Sequence, residues 1–236
     1  MKALFITIAL FSSISTMAQL KTDTYQTPMG ELKVTPVNHG SVMLQINGKV
    51  IQIDPYELKA DYSALPKADL VVITHEHQDH YDPKALGKIT TANTHFIATQ
   101  AVVNAGLKQA QVMKNGDQTV WEGIKIEAVP AYNLIHKRPD GEFFHPKGNG
   151  NGYIFHFGTF RLYIAGDTEP IPEMKHLGKI NVAFLPKNLP YTMDNEQFVK
   201  AAETVKPNYL YAYHYFEIDY KALRAKLPKT IQLKEW

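Results

Sequence analysis

The feature that most constrains this chain is a dense group of imidazole and carboxylate side chains directly after a predicted buried strand. Residues 70–73 form a continuous apolar run of mainly β-branched residues, which is typical of a strand buried on both faces. The next residues read THEHQDH and supply four candidate metal ligands: His75, His77, Asp79 and His80. Proteins of the α/β class usually place ligands and catalytic groups at the carboxyl ends of strands. We therefore expect an α/β domain with a functional site at one sheet edge.

The chemistry of this group points to a bound metal ion. The chain contains no cysteine, so disulfides are excluded and any metal must be held by histidine nitrogen and carboxylate oxygen. Without a cation, several polar rings would compete for few hydrogen-bond partners. Nitrogen and oxygen ligands suit zinc first, and manganese or iron fit the same set. The sequence therefore predicts a site for divalent metal ions.

Composition limits the number of domains and the class of partner. The 236 residues are 44% hydrophobic and 20% charged, and the net charge is +2. This is enough for one well-buried domain, and no repeat or linker suggests a second one. A nearly neutral chain lacks the basic face that nucleic acid or an anionic membrane would require. We expect a small-molecule substrate, no nucleic acid and no membrane anchor; the oligomeric state stays open.

The first 18 residues have the layout of a secretory signal peptide. Lys2 precedes a short apolar run at residues 3–11, and small residues end at Ala18 before Gln19. The run is too short to cross a bilayer as a helix. We therefore predict a signal peptide over residues 1–18, one mature domain over residues 19–236, and a location in the periplasm or the medium.

Short strands alternate with helices along the rest of the chain. Strands are predicted at residues 32–37, 42–46, 50–53, 70–73, 96–98, 124–129, 153–157, 161–165, 182–185 and 209–213. Helices are predicted at residues 83–89, 100–107, 172–177, 196–205 and 220–227, of which 196–205 has the clearest cap and apolar face. This order predicts an α/β domain with strands buried under helices. Periodicity leaves open whether the strands form one sheet or two.

Three further elements extend the pattern. The tripeptide IDP ends at Pro55, AGDT occupies residues 165–168, and YHY occupies residues 213–215. Together with the THEHQDH stretch, this ordered set resembles the metallo-β-lactamase superfamily, and within it the branch related to ascorbate-phosphate lactonases and phosphodiesterase-like enzymes. The resemblance runs from about His39 to His214. It implies a four-layer αβ/βα sandwich, the metallo-β-lactamase fold, with the site at one edge between two sheets.

The resemblance also implies roles for three residues outside the THEHQDH stretch. Asp167 would bridge two metal ions, and Gly166 lets the backbone turn sharply before it. His214 would complete the second site. Asp54 could hydrogen-bond a ligating histidine or cap a turn, and the sequence favours neither role over the other. His39 could line the pocket or serve the structure.

The sequence departs from the common superfamily pattern at one position. Many members place a histidine where this chain has Asn133, and a carboxamide is a poor zinc ligand. The chain then makes an excursion and returns through His145, so His145 is predicted as the third ligand of the first metal, with Asn133 nearby. The alternatives are His136, within a stretch that looks solvent-facing, and a water molecule.

These elements predict hydrolysis by a metal-bound hydroxide on an ester, lactone, phosphodiester or amide. The implied ligands are His75, His77 and His145 for the first metal, Asp79, His80 and His214 for the second, and Asp167 between them. Two cations sharing the hydroxide lower its pKa, and Asp79 or a water could protonate the leaving group. Asp79 and Asp167 are therefore the predicted catalytic residues.

Several other side chains could contact the substrate. Candidates to meet an apolar group of the substrate are Tyr132, Phe143, Phe144, Tyr191 and Tyr215, and candidates to meet an anionic group are Lys147, Lys187 and Arg138.

The alternative function is a non-catalytic metal-binding module, such as a sensor or assembly subunit. The full ligand set argues against it, because a structural site is satisfied by four ligands. A nuclease is disfavoured because no basic track is visible.

Overall fold

The computed structural model of the chain describes residues 20–236, and the predicted signal peptide at residues 1–18 lies outside the described residues. The strands are β1 Asp23–Thr27, β2 Gly30–Asn38, β3 Ser41–Ile46, β4 Lys49–Ile53, β5 Leu70–Val72, β6 His95–Ala98, β7 Gln111–Val112, β8 Gln118–Trp121, β9 Ile124–Ala131, β10 Gly150–Phe157, β11 Phe160–Ile164, β12 Val182–Pro186, β13 Tyr209–Tyr213 and β14 Gln232–Lys234. The α-helices are α1 Pro83–Ile89, α2 Gln100–Ala105, α3 Asn195–Val205 and α4 Tyr220–Lys226.

The strands form two seven-stranded mixed sheets, which answers the question that periodicity left open. The first sheet runs from β1 to β7 in chain order; β1 to β4 are antiparallel, and β4 to β7 are parallel. The second sheet contains β8 to β14, antiparallel as far as β11 and parallel from there. Each half of the chain therefore builds one sheet with a parallel part.

Three apolar interfaces hold the layers together. The inner faces of the two sheets share one core, in which Leu44 and Phe184 are fully buried. The outer face of the first sheet packs under α1 and α2, in a buried cluster that includes Ile73 and Leu86. The outer face of the second sheet packs under α3 and α4 and buries Phe198. Helix, sheet, sheet and helix give the four-layer αβ/βα sandwich that the sequence predicts.

The helix α3 shows how local sequence sets these boundaries. The Asp194 side chain accepts a hydrogen bond from the Gln197 backbone N–H, and the Gln197 side chain accepts one from the Asp194 N–H. This capping box satisfies two amide hydrogens that the first turn leaves without partners. The helix therefore begins directly after the β12–α3 connection, which contributes Asn188 and Tyr191 to the site described below.

The sequence patterns do not predict β1, β7, β8 and β14. These four strands are the outermost strands of the two sheets. Edge strands are short and partly polar because one side faces water, so they lack a strong hydrophobic signal. The predicted helix at residues 172–177 is a 3-10 helix, Pro172–His176.

Candidate metal centre

The structure brings all seven predicted ligands to one edge of the sandwich. They lie on four segments: the connection after β5 carries His75, His77, Asp79 and His80, the β9–β10 connection carries His145, the turn after β11 carries Asp167, and the turn after β13 carries His214. The turn before Asp167 requires glycine, because Gly166 has a φ of +65° and a Cβ there would lie 2.7 Å from the Asn151 carbonyl oxygen. Local backbone geometry thus places the Asp167 carboxylate.

Asp167 lies at the centre of the cluster. Its Oδ2 is 3.2 Å from His145 Nε2 and 3.1 Å from His214 Nε2, and its Oδ1 is 3.4 Å from His80 Nε2. Two ligands about 2.0–2.1 Å from one tetrahedral zinc ion lie about 3.3 Å apart. These separations are therefore those expected of atoms that share metal ions.

His75, His77 and His145 form a compact group on one side of Asp167. Each offers a ligand atom, and these atoms all lie within 4.8 Å of one another. His75 Nε2 faces His77 Nδ1 at 3.1 Å, and the His145 ring centroid is 5.0 Å and 4.9 Å from those of His75 and His77. Facing ring nitrogens whose lone pairs converge suit a cation between them.

A second group surrounds Asp79. Its Oδ2 lies 3.2 Å from His214 Nε2, 3.1 Å from His39 Nε2 and 3.9 Å from His80 Nε2. The His39 ring also packs against the His214 ring, with centroids 3.9 Å apart. His39 therefore lines the site and offers an additional ligand atom beside Asp79, which sequence reasoning left undecided.

Asp54 holds two histidines in a defined orientation. Its Oδ2 accepts hydrogen bonds from His80 Nδ1 at 2.8 Å and from the Thr74 hydroxyl at 2.6 Å. Because the Thr74 hydroxyl donates to Asp54, it accepts from His75 Nδ1 at 3.0 Å. Nδ1 of each imidazole is thus held by this network, and its Nε2 faces the cluster. Of the two interpretations of Asp54, the structure shows the hydrogen bond to a histidine of the cluster. Such partners fix the tautomer of ligating histidines.

Asn133 fixes the orientation of His145, as Asp54 does for His80. Its Oδ1 accepts from the His145 backbone N–H at 2.7 Å and from His145 Nδ1 at 2.8 Å. Its Nδ2 donates to Glu169 Oε1 at 3.0 Å and to the Tyr191 carbonyl at 2.9 Å. With acceptors on one side and donors on the other, the amide has one orientation. The excursion therefore returns His145 beside its starting point, as expected, with Nε2 directed at Asp167.

Glu169 is the organising residue that sequence reasoning missed. Its fully buried carboxylate accepts from the backbone N–H groups of Leu134, Ile135 and His136 at 2.8–2.9 Å. His136 Nδ1 also lies 2.8 Å from Glu169 Oε1, so this competing donor faces Glu169. Its neighbours Lys137, Arg138 and Asp140 are exposed, as expected, although His136 itself is half-buried. The available signal was an acidic residue two positions after Asp167, within a segment whose Gly-Asp-Thr neighbours already indicated burial.

Burial and neighbouring charge shift the pKa values of the cluster. Burial lowers the pKa of His75 well below its usual value, so the ring is neutral at pH 7. Burial also opposes a charge on His80, but the nearby carboxylates, first that of Asp167, outweigh burial and raise its pKa well above the usual value. For Asp167, the His214 and His80 imidazoles outweigh burial and hold the carboxyl pKa well below its usual value.

Two buried atoms at the centre have no hydrogen-bond partner among the described residues. These atoms are His80 Nε2 and Asp167 Oδ1. Buried polar atoms without partners are rare and call for an explanation. A divalent cation coordinated by nitrogen and oxygen donors would satisfy both, so the residues present fit a metal centre.

An open cleft of about 400 Å³ leads from the surface to the cluster. Beyond the predicted ligands and His39, it is lined by Gln78, Arg138, Phe144, Asn188, Tyr191 and Phe216. A larger hollow of about 600 Å³ beside β6 and β8 contains only one titratable group, His95. The cleft at the cluster is therefore the site in which chemistry and access coincide.

Comparison with known proteins agrees with this geometry. Residues 33–214 match the family model described as the beta-lactamase superfamily domain. A UPF0173 metal-dependent hydrolase of Thermococcus onnurineus is 33% identical over 198 residues, which cover 78% of this chain and 84% of the relative. A UPF0173 metal-dependent hydrolase of Thermus thermophilus is 32% identical over 193 residues, with the same coverage.

Solved structures give the same result. The chain resembles a crystal structure from Parabacteroides distasonis, of a protein provisionally named a metal-dependent hydrolase, with 44% identity, a TM-score of 0.86, and coverage of 92% of this chain and 98% of that one. It also resembles Igni18, a metallo hydrolase from Ignicoccus hospitalis, with 25% identity, a TM-score of 0.69, and coverage of 86% and 94%. The chain therefore belongs to the beta-lactamase superfamily domain family, among its metal-dependent hydrolases.

Proposed function

We propose that this chain is a hydrolase that binds two divalent metal ions, zinc in the first instance, with manganese or iron fitting the same donors. The proposed ligands are His75, His77 and His145 for the first ion, Asp79, His80 and His214 for the second, and Asp167 for both. When bound, the ions acidify a water molecule into a nucleophile and polarise the bond under attack. No serine or cysteine nucleophile is then required.

One observation carries this proposal: the Asp167 carboxylate lies between the two groups of proposed ligands. Its Oδ2 faces His145 of the first group and His214 of the second, and its Oδ1 faces His80 of the second. A carboxylate that contacts donors of both groups can hold two like charges close together. A site that bound one structural ion would need only four ligands and no open position, whereas this cluster offers more donors and opens to a cleft.

Asp79 is ionised before the reaction. Burial raises the pKa of its carboxyl, but His80, His214 and His39 outweigh burial and hold the pKa well below its usual value. Such a carboxylate is a weak base and can donate only a proton that it has first accepted. We propose that the leaving group takes its proton from a water molecule, or from Asp79 after Asp79 has accepted one from the attacking water.

The proposed function is tested with the purified mature chain reconstituted separately with zinc, manganese and iron. Elemental analysis should find close to two equivalents of metal. The metal-loaded protein should then hydrolyse at least one class of substrate in a panel of chromogenic esters, lactones, phosphodiesters and β-lactams. A chelator should abolish that hydrolysis. Two bound metals without turnover of any class would favour the alternative, a non-catalytic sensor or assembly subunit. Failure to bind any of the metals would refute the proposed site.

We also propose where the enzyme acts. Residues 1–18 would direct export, and residues 19–236 would form the mature domain in the periplasm or the medium. Within residues 20–236, no helix is long and apolar enough to cross a membrane. A small-molecule substrate without nucleic acid is consistent with the nearly neutral charge of the sequence.

A further inference from the structure

We infer that the substrate carries, outside the reacting bond, an uncharged aliphatic or aromatic group that is held against an aromatic wall made of Phe144, Tyr191 and Phe216. This inference rests on the proposed hydrolysis at the cluster and names the class of substrate. All three rings line the cleft that contains His77, Asp79, His145, Asp167 and His214. A group bound on the wall would therefore place its scissile bond at the candidate metal centre.

Two exposed apolar side chains line this cleft. Among the described residues, eight large hydrophobic side chains are exposed, and of these Tyr191 and Phe216 line the cleft. They belong to two separate connections, those after β12 and β13. Isolated exposed apolar residues need no explanation, but exposed rings that line a cleft at a candidate metal centre indicate a binding surface.

The wall has two parts. The Phe144 and Tyr191 rings meet edge to face, with centroids 5.0 Å apart. Phe216 lies beside His39, with ring centroids 5.9 Å apart, and is 66% exposed. An apolar chain in the cleft would cover this aromatic surface and remove it from water.

Hydrogen bonds fix the connections that present these rings. The Tyr191 carbonyl accepts from Asn133 Nδ2 at 2.9 Å, and the Tyr191 N–H donates to the Asn188 carbonyl at 2.9 Å. Leu134 and Ile135 each donate a backbone N–H to the buried Glu169. The exposure of these side chains is therefore built into an ordered backbone, and the binding surface is preorganised.

Of the three cations predicted to meet an anion, only Arg138 lines this cleft. Its guanidinium lies 5.7 Å from the Phe144 ring centroid, and its Nη2 donates to the Phe144 carbonyl at 3.3 Å. Lys147 pairs with Glu173 at 2.7 Å, and Lys187 lines a different hollow. An anionic group of the substrate would therefore meet Arg138, whereas the rings of the wall suit an uncharged group.

Chain length in a series of esters tests the inference. We expect kcat/KM of the zinc-loaded protein to rise about tenfold from p-nitrophenyl butanoate to p-nitrophenyl octanoate, below the micelle concentration. Full burial of one methylene is worth about fourfold, about 0.8 kcal/mol, and an open cleft covers the four added methylenes only in part. A flat or falling series would overturn the inference.

Matched variants locate the effect on the wall. Phe216→Ala and Tyr191→Ala should bring the octanoate-to-butanoate ratio close to one. Val120→Ala is the control, because Val120 is 67% exposed, like Phe216, but lies on β8 away from the cleft. An unchanged ratio in both wall variants would show that the rings do not hold the chain.

A binding measurement separates this inference from the proposed function. The uncharged fluorescent probe N-phenyl-1-naphthylamine should bind the metal-loaded wild type and the Val120→Ala variant alike, and at least about fivefold more weakly to Phe216→Ala. If no ester is hydrolysed but this pattern holds, esterase activity fails and the apolar site stands. If Phe216→Ala instead dissociates an oligomer in sedimentation and leaves probe binding unchanged, the wall is an interface between copies and the inference is wrong.

Discussion

Replacement of Glu169 by glutamine should weaken metal binding although Glu169 contacts none of the proposed ligands. The carboxylate accepts from three backbone N–H groups and from Asn133 Nδ2, and Asn133 in turn orients His145. Glutamine has the same shape but exchanges one acceptor oxygen for a donor NH2. If that NH2 faces Leu134 and Ile135, two amide hydrogens lose their acceptor, at about 1–3 kcal/mol each. We therefore expect the connection to lose about 2–6 kcal/mol of local stability.

Zinc affinity is the quantity to measure. Loss of a residue that orients a ligand typically costs about 10–100-fold in metal affinity, and we expect Glu169→Gln to weaken the first site by that amount in competition with a chromogenic chelator. The visible spectrum of the cobalt-substituted protein should change as well, because it reports the geometry of the ligands. Glu173→Gln is the control. Glu173 pairs with Lys147 at the surface, and such pairs contribute little, so affinity should change less than about twofold.

A double variant tests the route. If Glu169 acts through Asn133, then Glu169→Gln combined with Asn133→Ala should weaken zinc binding no more than Asn133→Ala alone, because both changes remove the same constraint on His145. Wild-type affinity and an unchanged cobalt spectrum in Glu169→Gln would refute this reasoning. Fully additive losses would place the effect of Glu169 elsewhere.

Three further predictions follow from the site and the sequence. Asp167→Ala should retain the fold by circular dichroism but bind at most one metal and lose hydrolysis; two metals with full turnover would refute the bridging role. Zinc binding at pH 7 should release about one proton, because Asp167 and the other nearby carboxylates raise the pKa of His80 and the ion must displace that proton. Zinc affinity should therefore rise as the pH rises, and calorimetry in buffers of different ionisation enthalpy would contradict this if no proton is released. Expressed with its own leader in a Gram-negative host, the protein should be recovered from the periplasm beginning at or near Gln19, and cytosolic protein retaining Lys2 would refute the signal peptide.

Strong local patterns made much of the fold predictable. The buried run at residues 70–73 contains β5, the hairpin around Gly158 joins β10 and β11, and Asp194 caps α3. In each case a short-range rule and the final packing agree. The four strands that sequence reasoning missed are sheet edges, whose pairing is decided by the neighbouring strand and not by their own periodicity.

The site, like the fold, was predictable from the sequence only in part. The THEHQDH stretch, Asp167 and His214 are brought together because the strands before them end at one edge. The network around Glu169 and the contact of His39 with Asp79 depend on pairs separated by 33–40 residues, which only the fold places together. Sequence chemistry indicated that His145 was a better ligand than Asn133. It could not show that Asn133 would become the acceptor that orients His145.

The most direct test of the central claim is a crystal structure of the zinc-loaded protein with anomalous data at the zinc edge. We predict two peaks about 3.5–4 Å apart, with His75, His77 and His145 nitrogens about 2.0–2.1 Å from the first and Asp167 between the two. A first peak with the His145 imidazole more than about 4 Å away, well beyond any zinc–nitrogen bond, would contradict the assignment of this site.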